Sequence, residues 1–386
     1  MQSLIIVSNR LPVKVKETIE KSSGGMVSAL EGLGDKMNLR WIGWAGGVVE
    51  DPERKEEIAA ELEDRFNFTP VFLTQQDVDD YYTGFSNTSL WPLLHYMPSN
   101  ARYDERWYQK YKETNRLFAD KVLEQAGPED IVWVQDYHLM LLPEMLRNER
   151  PDLTIGFFLH TPFPSYEIFR CHPNREELLK GLLGADLIGF HSFSYLRHFR
   201  STVLRILGIE SEIAYIPVEN HRCAIDVFPI GVNAEKFLEL TNSPAFERRL
   251  RALRKVYAGK KLVLSVERLD YTKGIPQRLE AIERFLEQTG RKDVVFLFIS
   301  VPSRQSVPEY RELREEVELK VSQINGKYST IEHVPIHFLF RSVEFEELAA
   351  LYAYADAAVV TPLMDGMNLV AKEYLLCQKE KSGVLI

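Results

Sequence analysis

Cysteine is scarce in this chain. Its three residues, Cys171, Cys223 and Cys377, are odd in number and far apart, which excludes a disulfide framework and zinc-ligand spacing. A reducing cytoplasm fits that usage. No uninterrupted apolar stretch is long enough to cross a bilayer, and the apolar run of "MQSLIIVSNR" is too short for the core of a signal peptide. Neither a targeting segment nor a membrane partner is expected. A sustained basic run is also missing, and the net charge is −9. That argues against nucleic acid as a partner, while leaving room for a local positive pocket that takes an anionic substrate. The histidines, among them His138, His172 and His191, never fall into a helical HExxH spacing, so no metal site is expected from them.

What is present is an ordinary globular composition, 45% hydrophobic and 27% charged over 386 residues, enough for two or three domains. Short β-branched or aromatic runs alternate with helical patterns: "SLIIVSNR", "DIVWVQD", "TIGFFLH", "DLIGFHS", "KLVLSVER", "VVFLFIS", "IHFLF" and "AAVVTP". This order predicts an α/β fold with parallel sheets, and runs without polar alternation predict strands covered on both faces. A charged helical stretch, "PAFERRLRALRKVYAGKK", precedes the strand "LVLSVER" and places a boundary near it, giving domains 1–236 and 237–386. Ligands of open parallel sheets bind beyond the carboxyl ends of the strands, so candidate residues stand just after each apolar run.

There stand Arg10, then Gly24 and Gly25 ahead of a helical pattern, Asp136 after "VWVQ", and His160 after "IGFFL". The glycine pair reads as a tight turn or as backbone able to approach an anion, and His160 as a structural or a functional histidine. In "DVDDYYTGFSNTSLWPLLHY", Asp77, Asp79 and Asp80 resemble a metal-binding DxD but lie in a loop-like stretch, and a solvated turn is the expectation. Tyr82 and Trp91 suit either a sugar-phosphate pocket wall or a small aromatic core. In "ERLDYTKGI", Arg268 and Lys273 flank a glycine-containing loop at a helix start, an order suited to a diphosphate, and Arg304 ends another strand. In "MDGMNLVAKEYL", Asp365 is either a helix cap or a holder of ligand hydroxyls beside the forward amides of Met367, Asn368, Leu369 and Val370, which suit a phosphate. Glu373 follows about two turns into the expected helix.

Taken in order, "SNRLP", "SSGGMVSAL", "WIGWAG", "YYTGFSNTSLWPLLHY", "VWVQDYHLMLLPEMLR", "FFLHTPFPS", "GFHSFSYLRHF", "FPIGV", "ERLDYTKGI" and "TPLMDGMNLVAKEYL" resemble the trehalose-6-phosphate synthase family along almost the whole chain. The resemblance implies a GT-B fold, two Rossmann-like domains facing across a cleft, with the second domain incomplete at its carboxyl end. It implies transfer of glucose from UDP-glucose, or another nucleoside diphosphate glucose, to glucose 6-phosphate with retention. No cofactor or metal would be needed.

By the same resemblance Gly24, Gly25, Arg268, Lys273 and the amides of Gly366 to Val370 hold the donor diphosphate, Glu373 the ribose, and Asp365 the donor glucose. Arg10, Tyr82, Trp91 and Arg304 match the acceptor pocket, and Asp136 and His160 match positions near the reacting sugars. A homo-oligomer and a separate trehalose-phosphate phosphatase acting downstream are implied as well. Rival readings are a synthase for another phosphorylated acceptor, such as glycerol 3-phosphate, and a non-catalytic sugar-nucleotide binder that regulates a partner.

Overall fold

The computed structural model describes residues 3–15, 18–21, 38–304, 307–378 and 383–386, apart from the side chain of Lys21. Gly24 and Gly25 lie outside the described residues. The chain divides into two units, Met1–Ile230 and Gly231–Ile386. Among the described residues no helix is long and apolar enough to cross a membrane.

In the first unit the strands are β1 (Ser3–Arg10), β2 (Val13–Val15), β3 (Ile19–Lys21), β4 (Asn38–Trp44), β5 (Phe68–Val71), β6 (Ile131–Gln135), β7 (Thr154–Phe158), β8 (Leu187–Phe190), β9 (Tyr215–Val218) and β10 (His221–Val227). Eight of these form one sheet in the order β5-β4-β1-β6-β7-β8-β10-β9. All neighbours are parallel except the β9–β10 pair. The chain runs outward from β1 through β4 to β5, then returns to β6 on the other side of β1. That reversal leaves a crevice beyond the carboxyl ends of β1 and β6, where Arg10 and Asp136 stand.

The second unit holds β11 (Lys261–Arg268), β12 (Val294–Val301), β13 (Ile336–Leu339), β14 (Ala357–Ala358) and β15 (Val384–Leu385), in the order β13-β12-β11-β14-β15. Every pairing is parallel. On β12, Val295, Leu297 and Ile299 enter one apolar cluster while Val294, Phe296 and Phe298 enter another. Both faces of the strand are therefore covered, which is why its sequence is apolar without alternation. Here the reversal falls between β11 and β14.

The eight apolar runs all contribute strands, although "AAVVTP" supplies only two residues of β14. None of those runs covers β2, β3, β4, β5, β9 or β10. The sequence reading also needs correction at "DVDDYYTGFSNTSLWPLLHY", which is helical from Gln75 to Leu94 rather than loop-like. Its middle, Val78–Leu90, is a π-helix. Two side chains follow that wider turn: Asn87 Nδ2 donates to the Tyr82 carbonyl at 2.8 Å and Thr88 Oγ1 to the Thr83 carbonyl at 2.9 Å, each five residues back.

The solvated turn expected for the aspartates is likewise corrected, since Asp77 and Asp80 are buried. Asp77 completes a capping box with Thr74 and pairs with Lys110 at 3.3 Å, and Asp80 pairs with Arg106 at 3.1 Å. Both cations come from the helix Glu105–Gln125, which removes the need for water. Asp79 instead accepts a hydrogen bond from Gln75.

Gly84 lets this helix lie against the indole of Trp107, because a Cβ there would come within 2.7 Å of the ring. Replacing it with alanine forces the indole or the helix to shift. We expect Gly84→Ala to lower stability by about 1–3 kcal/mol, the usual cost of overpacking. A urea unfolding curve that superimposes on that of the parent would contradict this packing account.

Candidate active site

Beyond β1 and β6 the first unit builds a continuous aromatic wall. Arg10 donates to the Gly46 carbonyl at 2.8 Å, and its guanidinium carbon lies 5.0 Å from the centre of the Trp44 ring. Trp44 meets Tyr82 edge-on at 5.6 Å, Tyr82 stacks on His138 at 5.9 Å, and His138 packs on Tyr137 at 4.0 Å. Tyr137 then contacts Trp91 at 5.7 Å. Arg10, Tyr82 and Trp91 are thus joined through Trp44 and Tyr137, which the sequence does not single out, and through His138, considered there only as a metal ligand.

The π-helix is tied to both strand ends. Tyr81 donates to Asn9 Oδ1 at 2.9 Å, and Tyr137 donates to Asn87 Oδ1 at 3.0 Å. Tyr82 is held between these two anchors. Asp136 has a φ of 69°, an unusual conformation for a residue other than glycine, and accepts from the His160 amide at 3.2 Å. The His160 ring reaches Gln135 through Nε2 at 2.9 Å. Burial lowers its pKa to about 4, so the imidazole is neutral at pH 7 and acts as a hydrogen-bonding group rather than a cation.

In the second unit Arg268 is the exposed last residue of β11. After it, Asp270 is fully buried and caps the turn Tyr271–Lys273 through the amide and hydroxyl of Thr272. The other Asp270 oxygen accepts from Arg304 Nη1 and from the Tyr310 hydroxyl, both at 2.8 Å. Arg304 therefore belongs to the second unit, on the buried side of the β11 loop, whereas Arg10, Tyr82 and Trp91 belong to the first.

Gly274 takes a left-handed conformation at φ 65°, and a Cβ there would come within 2.8 Å of the Thr361 carbonyl. The loops after β11 and β14 consequently touch. Lys273 Nζ closes the contact on Asp365 Oδ2 at 2.7 Å. The other Asp365 oxygen accepts from the Gly366 amide at 3.0 Å, and the Asn368 side-chain amide donates to Oδ2 at 3.2 Å.

The cap reading of Asp365 is overturned: Asn368 caps the helix Leu369–Cys377, accepting from the Ala371 amide at 2.9 Å. Leu369 and Val370 open that helix, while Gly366 and Met367 precede it. Glu373 is accordingly little more than one turn in, not two. Its carboxylate accepts from the Tyr352 hydroxyl at 2.8 Å, and burial raises its pKa against that bond.

A second buried pair stands behind Lys273. Arg278 Nη1 contacts Glu267 Oε2 at 2.5 Å, Nη2 donates to the Lys273 carbonyl at 3.0 Å, and Nε donates to Thr361 Oγ1 at 3.0 Å. One guanidinium fixes both loops of the reversal. The sequence carried a signal for it: Arg278 falls three residues after Ile275 and one before Leu279, on the apolar face of the helix Ile275–Thr289. Burial pushes the Glu267 carboxyl up despite the cation beside it.

Removing the guanidinium alone strands that carboxyl. Arg278→Leu should destabilise the protein by about 3–5 kcal/mol, as expected for breaking a buried pair, and Arg278→Leu with Glu267→Leu should cost less. Urea denaturation of the two variants checks this, and a double variant less stable than the single one would be inconsistent with it.

A sequence profile described as glycosyltransferase family 20 matches residues 2–386. The chain is 46% identical over 391 residues to an alpha,alpha-trehalose-phosphate synthase [UDP-forming] of Dictyostelium discoideum, covering 99% of this chain and 53% of that protein. To one of Aspergillus niger it is 47% identical, covering 99% of this chain and 82% of that one. The chain thus spans about half the length of the first relative and about four fifths of the second. Among solved structures, the alpha,alpha-trehalose-phosphate synthase of Burkholderia xenovorans in complex with glucose-6-phosphate superimposes with a TM-score of 0.89 at 32% identity, covering 99% of this chain and 84% of that one. The N-terminal domain of Candida albicans trehalose-6-phosphate phosphatase gives 0.91 at 33%, covering 100% and 82%. With a profile matched along nearly its whole length and two units of parallel α/β architecture, the chain belongs to glycosyltransferase family 20 and has its GT-B fold.

Proposed function

We propose that the protein is a retaining glucosyltransferase that moves glucose from UDP-glucose to the anomeric hydroxyl of glucose 6-phosphate, yielding trehalose 6-phosphate and UDP. The observation that carries this is the Lys273–Asp365 clasp at the second unit's strand-order reversal, with Arg268 at the end of the strand that leads into the loop. The names of the relatives supply the nucleotide and the product. In the reaction the bond from the glucosyl carbon to the diphosphate oxygen breaks, a bond to the acceptor oxygen forms, and the acceptor proton passes to the departing diphosphate. Negative charge gathers on that diphosphate, so the cations at Arg268 and Lys273 lower the barrier.

Asp365 then serves the donor glucose, Glu373 the ribose, and the backbone from Gly366 to Val370, with Gly24 and Gly25, the phosphates. Arg10 with Tyr82 and Trp91 receives the acceptor phosphate, while Arg304 stays bound to Asp270 and Tyr310 within the second unit. Asp136 and neutral His160 orient sugar hydroxyls. The three free cysteines support a reducing compartment, which we take to be the cytoplasm.

Likeness to a domain of a protein named as a phosphatase prompts a second reading, a sugar-nucleotide-binding module without turnover. Acceptor-dependent release of UDP, with the product followed by mass, separates the two. Equimolar UDP and trehalose 6-phosphate supports the transferase, and UDP-glucose binding without release supports the module.

Three outcomes follow from the assigned roles. Arg268→Ala and Lys273→Ala should each remove roughly 2–4 kcal/mol of transition-state stabilisation, lowering kcat more than donor affinity. Steady-state kinetics with near-parental kcat in both would defeat the leaving-group role. Free glucose should be a poor acceptor beside its 6-phosphate, and Arg10→Ala should raise KM for the phosphate. Equal use of the two sugars would refute the acceptor assignment. Because the charge on the diphosphate is met by side chains, a chelator should leave the rate unchanged, and activity restored by magnesium after chelation would contradict that.

A further inference from the structure

The first unit contains a further concentration of positive charge, at a cavity that none of the residues assigned above lines. A cavity of about 410 Å³ is lined by Tyr166, Arg170, Arg175, Glu176, Arg205 and Ile206. Three helices meet at it: Tyr166–Phe169 after β7, Arg175–Leu183, and Phe193–Leu207. The guanidinium carbons of Arg170 and Arg205 lie 5.5 and 5.1 Å from the centre of the Tyr166 ring. Arg175 donates through Nη1 to the His172 carbonyl at 3.2 Å.

Several other arginines, Arg116, Arg147, Arg150, Arg278, Arg291 and Arg304, are paired with carboxylates, whereas these three, like Arg10, Arg102, Arg200 and Arg222, make no such pair among the described residues. Acidic residues nonetheless outnumber basic ones in the chain. Glu176 is the only carboxylate among the lining residues. Convergence of three like charges is unfavourable by itself, and an anion between them turns the repulsion into attraction. Guanidinium forks match phosphate oxygens two at a time, and the volume suits a small ligand rather than a lone ion.

We propose that this cavity binds a small phosphorylated metabolite, one carrying one or two phosphate groups, at a site separate from the glucosyl-transfer residues. Arg170 and Arg205, both packed on the Tyr166 ring, present their forks to the phosphate, and Arg175 supplies a third. Inorganic pyrophosphate and a hexose phosphate share this chemistry as sources.

The test is calorimetric titration of the whole chain with inorganic pyrophosphate and, separately, with a hexose phosphate, in about 0.15 M salt so that unspecific attraction is screened. An Arg10→Gln, Arg268→Gln variant with saturating UDP silences the assigned sites. In that background one binding event should remain. Adding Arg170→Gln and Arg205→Gln should weaken it at least about tenfold, the loss expected when charge-assisted hydrogen bonds disappear. Arg170→Lys with Arg205→Lys keeps the charge and the stacked stems, should melt like the parent, and should weaken binding by a smaller factor. Tighter binding of either probe identifies the source, and both support the site. No binding event in the silenced background, or an unchanged affinity after the glutamine substitutions, would overturn the proposal.

Discussion

An ammonium and a carboxylate 2.7 Å apart, Lys273 and Asp365, close the second unit where its strand order reverses. The two side chains come from loops 92 residues apart in sequence. Lys273 is buried and the Asp365 side chain is only partly exposed, so the pair is largely withdrawn from water. Behind it, Arg278 bonds the Lys273 carbonyl and Thr361 and is itself fixed by Glu267. Gly274 makes the approach possible, since any side chain there would collide with the Thr361 carbonyl. The outer pair can therefore exchange partners while the inner pair keeps both loops in place. That division suits a site whose ligand is a diphosphate, which competes with Asp365 for the lysine.

The first unit meets the same demand with rings. Its reversal lies between β1 and β6, and the π-helix brings Tyr82 to it because anchors at Asn9 and Tyr137 fix the helix from both strands. A π-turn exposes extra backbone breadth, which Asn87 and Thr88 satisfy from their own side chains. The outcome is a chain of ring contacts from Trp44 to Trp91, edge-on, stacked and tilted in turn, with a cation, Arg10, at one end. Rings of this kind pack against sugar faces, and the cation suits a phosphate.

Much of this was legible before any coordinates. Uninterrupted apolar runs such as "VVFLFIS" carry their own explanation, because a strand covered on both faces has no polar side to show. Candidate residues at strand ends followed from parallel topology alone, and Arg10, Asp136, Arg268 and Lys273 all stand there. What was hidden depends on long-range partners. Asp77 and Asp80 looked hydrated because Lys110 and Arg106 lie some 30 residues on. Trp44 reached Arg10 only through the β1–β4 register. The helix start at Leu369 turned on which of two nearby polar residues, Asp365 or Asn368, was the cap, and either type is a good one. Asp365 was drawn away by a lysine that local sequence does not place beside it.

The central claim is that Lys273 leaves Asp365 for the diphosphate while the loops stay fixed. Calorimetry with UDP, which lacks the glucose, isolates that exchange when the parent is compared with Lys273→Ala and Asp365→Asn. The account predicts effects of opposite sign: weaker UDP binding without the lysine, and equal or tighter binding once the competing carboxylate is neutralised. Equal weakening in both variants would contradict it, showing that the pair serves only to hold the loops together.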